Sequence, residues 1–66
     1  MSVAKTIEIT AESTKSFDAA VKEGIERAGK TVEGIKSAWI EDHVVLVKDG
    51  AINGYRVRLK VTFELN

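Results

Sequence analysis

One segment limits the fold more than any other. From Tyr55 to Leu65 apolar and polar residues alternate without a break. Tyr55, Val57, Leu59, Val61, Phe63 and Leu65 point one way; Arg56, Arg58, Lys60, Thr62 and Glu64 point the other. A side-chain period of two over this length is the signature of a strand with one buried face. The segment before it, from Lys36 to Lys48, reads as its hairpin partner, joined through Asp49-Gly50. That dipeptide suits a type I′ turn, whose two central residues both need φ > 0. With this turn, Lys48 faces Ala51, Ile40 faces Leu59 and Ala38 faces Val61, so apolar meets apolar. The same register predicts Trp39 opposite Lys60, Glu41 opposite Arg58 and His43 opposite Arg56. Asn53-Gly54 reads as a bulge or kink, a common place for Gly in a strand. The ladder is expected to have one apolar face. The other should carry Trp39, Glu41, His43, Arg56, Arg58 and Lys60, with Val45, Val47 and Ile52 among the charges.

The first half of the chain supplies what covers the apolar face. Val3 to Thr10, rich in Val, Ile and Thr, reads as a strand with Ile7 and Ile9 on one side. Residues 11–15 read as a polar connector. Ser16 is a candidate N-cap, because its hydroxyl can accept from an orphan amide at the start of a helix. From Phe17 to Ala28, the residues Phe17, Ala20, Val21, Gly24, Ile25 and Ala28 recur as one stripe of a 3.6-residue period. Asp18–Lys22, Glu23–Arg27 and Glu26–Lys30 are acid-before-base pairs at i, i+4. Gly24 on the apolar stripe costs about 1 kcal/mol of helix propensity and predicts close approach of helix to sheet. Gly29 stands where a left-handed C-terminal residue belongs. The order β-α-β-β over residues 1–66 predicts a single α+β domain: a three-stranded antiparallel sheet with one helix on one face.

A chain of 66 residues is too small to be comfortable alone. Such chains bury only about 60% of their unfolded surface and usually need a staple. With no Cys and one His, disulfides are excluded and a His/Cys metal site within one chain is disfavoured. Partner subunits remain, and one helix can cover only one sheet face. The apolar residues expected on the other face therefore predict an interface between copies. Ten basic against ten acidic residues leave no net field to attract nucleic acid or an anionic membrane. No apolar run approaches the ~20 residues of a membrane span, and the first residues lack a leader's apolar core. A cytoplasmic protein is the expectation.

Little in the chain points to catalysis. No Ser/His/Asp order, phosphate-cradling Gly loop or paired acids stand out, so no residue is assigned a catalytic role and the protein is not expected to be an enzyme. His43, with a cation expected opposite, reads as a solvated strand residue. Arg56, Arg58 and Lys60 form a basic ridge beside Trp39, but one aromatic and zero net charge argue against a nucleic-acid platform. Trp39, the sole Trp, can pack against a partner subunit or stack on a flat ring.

Taken in order, Met1-Ser-Val-Ala-Lys-Thr-Ile-Glu-Ile9, Ser16-Phe-Asp-Ala-Ala20, Ile25-Glu-Arg-Ala28 and Tyr55-Arg-Val-Arg-Leu-Lys-Val-Thr-Phe-Glu-Leu65 resemble the dodecins over essentially the whole chain. The resemblance implies a long bent hairpin wrapped around the helix and assembly into a hollow homo-dodecamer. It also implies a non-catalytic role: storing or quenching a flavin (riboflavin or FMN) stacked between tryptophans at two-fold axes. The family's stacking Trp follows the segment matching Val32–Lys36, which here is Ser37; this chain carries Trp39 two positions on, the same face some 6–7 Å further along. The family's flavin-edge Gln corresponds to Arg56, whose guanidinium donates but cannot accept, and which can pair with a phosphate. The residues implied for the ligand are thus Trp39, Ser37 and Arg56. The alternative implied is the flavin-free branch, with a structural or calcium-binding role, which also carries Tyr-Arg at this place.

Overall fold

A computed structural model describes residues 3–65. Strand β1 (Val3–Ser13), helix α1 (Phe17–Ala28), strand β2 (Ile35–Lys48) and strand β3 (Ala51–Leu65) follow in that order. The three strands form one antiparallel sheet in the order β1-β3-β2. The two outer strands both run against β3, so they are parallel to each other with β3 between them. The strand with the unbroken alternation is the central one, as expected if both its faces and both its edges are specified at once.

The core is the expected face of β3. Val57, Leu59 and Val61 are fully buried, together with Ala20 of the helix. Ile7, Ile9 and Ala11 of β1, Phe17, Val21 and Ile25 of α1, and Ile35 and Ala38 of β2 pack around them. Ser16 caps the helix: it is extended (φ −169°) and its Oγ accepts from the Ala19 amide at 2.9 Å. Gly24 is buried where the helix presses on β1, and a Cβ there would lie 3.0 Å from the Cβ of Ala11.

Several expectations change. The connector at residues 11–15 is strand through Ser13, because Ala11, Glu12 and Ser13 pair with Val57, Arg56 and Tyr55. Gly29 is not left-handed; with φ −64° it extends the last helical turn, its amide donating to the Ile25 carbonyl at 2.9 Å. The positive φ falls at Gly34 (77°) instead, where the Glu64 amide donates to the Gly34 carbonyl and the chain enters β2. None of the three acid–base pairs on the helix closes; the ion pairs among the described residues are all between strands.

The largest correction concerns the hairpin. Asp49 (φ 53°) and Gly50 (φ 78°) make the expected turn, with Lys48 opposite Ala51. Asn53 is the expected bulge: Val47 faces Ile52, yet Leu46 faces Gly54. A second bulge, at Glu41, lies between Ile40–Leu59 and Asp42–Arg58 and restores the original register. Ile40–Leu59, Ala38–Val61 and Trp39–Lys60 are therefore paired as expected, whereas the residues between the two bulges are shifted by one. Arg58 faces Asp42 rather than Glu41, and Arg56 faces Val44 rather than His43. His43, opposite Val57, moves to the helix side, where its ring lies 4.7 Å from that of Phe17, itself 5.1 Å from Tyr55. Val45, opposite Tyr55, moves with it, as do Val47, two residues further on, and its partner Ile52.

Helix and sheet do not match in length. A helix of 12 residues spans about 18 Å, whereas the molecule is 50 Å long. The helix lies on β1 and β3. The turn end of the hairpin runs on beyond it, leaving Val45, Val47 and Ile52 exposed.

Candidate functional site

The outer face of the sheet, away from the helix, carries the polar set of β3: Arg56, Arg58, Lys60 and Thr62. Across β1 these face Glu12, Thr10, Glu8 and Thr6; across β2 they face Val44, Asp42, Trp39 and Ser37. Strict alternation along β2 would put only one of Glu41 and Asp42 on this face. The bulge puts both there, and each meets a cation of β3. Arg58 Nη2 lies 2.6 Å from Asp42 Oδ2, and Lys60 Nζ lies 3.7 Å from Glu41 Oε2. Arg56 Nε donates to Glu12 of β1 at 2.8 Å. Each of the three cations thus has one carboxylate, and a fourth carboxylate, Glu8, stands opposite Lys60 on β1 outside these pairs.

Trp39 lies at one end of this ladder. It is 63% exposed, the most open large apolar side chain of the face, and Lys60 Nζ sits 5.4 Å from its ring centroid. Ser37 is two residues before it on the same face, opposite Thr62, whose Oγ1 is hydrogen-bonded to that of Thr6 at 3.1 Å. Arg56 is on the same face but not at the same place. It lies four residues from Trp39's partner Lys60, about 13 Å along the strand. The open groove around Arg56, about 460 Å³, is walled by Glu8, Thr10, Glu12, Asp42 and Arg58 and reaches neither Ser37 nor Trp39. Within one copy, then, Ser37 and Trp39 form one locus and Arg56 another. Among the described residues no three His, Asp or Glu side chains converge to hold a metal ion.

Sequence reasoning passed over Lys60 and Glu41 as site residues. Lys60 was detectable, since the register alone places it opposite Trp39. For Glu41 the alternation gives the right face, but its pairing with Lys60 rather than Arg58 was not detectable, because nothing in the residue types announces its bulge.

A geometry of one helix on a three-stranded antiparallel sheet has known counterparts. The model of the dodecin family matches residues 3–66. The chain belongs to the dodecin family. Its fold superposes on a dodecin from Streptomyces davaonensis with a TM-score of 0.93 at 26% identity, over 98% of this chain and 96% of that one. Calcium dodecin of Mycobacterium tuberculosis is 32% identical over 65 residues, 98% of this chain and 92% of the relative. The solved structure of that calcium dodecin, described as calcium-chelating with a calcium-binding site, covers 97% of this chain and 91% of its own, with a TM-score of 0.85. The β-α-β-β order and the antiparallel sheet are those of the family. No helix among the described residues is long and apolar enough to cross a membrane.

Proposed function

We propose that the protein is a non-catalytic holder of a small ligand that works as a homo-dodecamer. The ligand is a flat ring of the flavin class, riboflavin or FMN, stacked on Trp39, with Ser37 beside it and Arg56 available to a phosphate. The observation that carries this reading is Trp39 itself. A tryptophan contributes most to stability when buried, yet this one stands 63% exposed on the face the helix does not cover. Membership of the dodecin family supports the assembly and the storage role. So does the shape: a hairpin that outruns its helix leaves Val45, Val47 and Ile52 open, more apolar surface than a lone copy of 66 residues comfortably exposes. One copy does not complete the site, because Trp39 and Arg56 are too far apart to grip one ring. The remaining contacts belong to a second copy.

The test is native mass spectrometry of the purified protein, then titration with riboflavin and FMN while flavin fluorescence is followed. The expected result is a twelve-subunit mass and quenching by both flavins. A stable single-copy mass, or undiminished fluorescence with both ligands, overturns the reading.

A second reading is a flavin-free assembly stabilised by calcium, favoured by the 32% identity to calcium dodecin. One copy does not build such a site from the described residues, so carboxylates from neighbouring copies would have to meet around the ion. Loss of assembly or of thermal stability on adding a chelator supports it; indifference to chelator removes it.

A further inference from the structure

The arrangement around Lys60 has no counterpart among the expected ligand contacts. Lys60 lies between two carboxylate-bearing strands. Its register partner on β1 is Glu8, and its partner on β2 is Trp39. Its ammonium takes the Trp39 side, held by Glu41 at 3.7 Å and lying 5.4 Å from the indole centroid. At 3.7 Å the contact with Glu41 is an ion pair but too long for a hydrogen bond. Among the described residues no acceptor takes a hydrogen bond from Lys60 Nζ. The ammonium's charge is paired, but its three donors have no acceptor among these residues, beside an exposed aromatic ring.

We propose that Lys60 makes the Trp39 face selective for planar aromatic anions, rings carrying a negative oxygen at an edge. The ring stacks on the part of the indole that the ammonium leaves open, and the oxygen accepts from Nζ. Glu41 is a positioning residue. By its place in the bulge it draws the ammonium towards Trp39 and away from Glu8, and it is too distant to use up the ammonium's donors. This inference rests on Trp39 being a stacking surface, and it adds a preference, among rings that stack there, for those with a negative edge.

The test uses two fluorescent probes of the same shape, 2-naphthoate and the neutral 2-naphthamide, titrated into the assembled protein while the emission of the single tryptophan is followed. Naphthoate is expected to bind about three- to tenfold more tightly than naphthamide, the range of a charged contact at a partly exposed site. That preference should fall as salt is raised. Lys60→Met should abolish the preference while leaving naphthamide binding in place, and Lys60→Arg should keep it. Should Lys60→Met fail to assemble, the naphthoate-to-naphthamide ratio and its salt dependence in the unaltered protein decide the matter alone. Equal affinities for the two probes, with flavin quenching intact, overturn the role of Lys60 and leave the stacking surface standing. No response to flavin or to either probe overturns both.

Discussion

The two edges of the central strand behave differently. Along β1 eleven residue pairs follow one another without a slip, from Val3–Leu65 to Ser13–Tyr55. Along β2 the register shifts three times, around Lys36, Glu41 and Asn53. The regular edge is the one under the helix, and it builds the core. The irregular edge bears the exposed tryptophan and the two adjacent carboxylates. The reason is geometric. A regular ladder commits every second side chain to the same face, which is what a core needs. A bulge adds a residue without an opposite number and lets two neighbours share a face. Glu41 and Asp42 do so, each with its own cation.

The sharpest way to break this comparison is to delete one glutamate from each edge. Removing Glu8 from β1 brings Ile7 next to Ile9 and turns half the strand over, so either the protein fails to fold or it loses several kcal/mol, about the worth of a buried Ile. Removing Glu41 closes the bulge: Ile40 and Asp42 keep their faces and partners, and the loss should stay near about 1 kcal/mol, the worth of one partly exposed ion pair. Denaturant unfolding followed by circular dichroism measures both. Equal losses would show that the bulge is needed for folding and not only for placing Glu41.

Truncating one large side chain of the central core and one of the irregular edge sharpens the contrast. Leu59→Ala empties a fully buried position under the helix and should cost about 2–5 kcal/mol. Trp39→Ala removes a side chain left open in the single copy. It should cost far less in folding while abolishing flavin quenching. If Trp39→Ala instead dissolves the assembly in native mass spectrometry, Trp39 is a subunit contact before it is a ligand contact.

Gly24→Ala isolates the helix–sheet approach on the regular edge. Alanine gains up to about 1 kcal/mol of helix propensity. Its methyl would also meet Ala11 Cβ at 3.0 Å and Leu59 Cδ1 at 3.4 Å. Crowding of this kind costs about 1–3 kcal/mol, so a net loss is expected in thermal unfolding. A rise in the unfolding temperature would mean that helix and sheet can part freely. The smallest effect belongs to the irregular edge. Asp42→Asn weakens the pair with Arg58, whose side chains are 44% and 50% exposed, and should cost about 0.2–1 kcal/mol, less in high salt.

What residue order alone settled is everything that depends on periodicity and turn chemistry. The alternation of β3, the stripe from Phe17 to Ala28, the Ser16 cap and the Asp49-Gly50 turn each record a local rule that the fold obeys. The pairing of Trp39 with Lys60 follows from the turn by counting. The faces of His43, Val45 and Asp42, and the pairing of Glu41 with Lys60, were decided only in the folded sheet. Asn53-Gly54 reads as a bulge because Gly54 has no side chain, and in the structure Leu46 packs against that bare backbone. Once β3 gains a residue there, β2 must gain one elsewhere to bring Ile40 and Ala38 back over the core. The point of insertion is set by the packing of Leu59 and Val61, not by any property of Glu41. A residue's own chemistry carries no mark of a compensation imposed from the opposite strand. For that reason the core could be read from the chain, while the neighbours of the exposed tryptophan had to be seen.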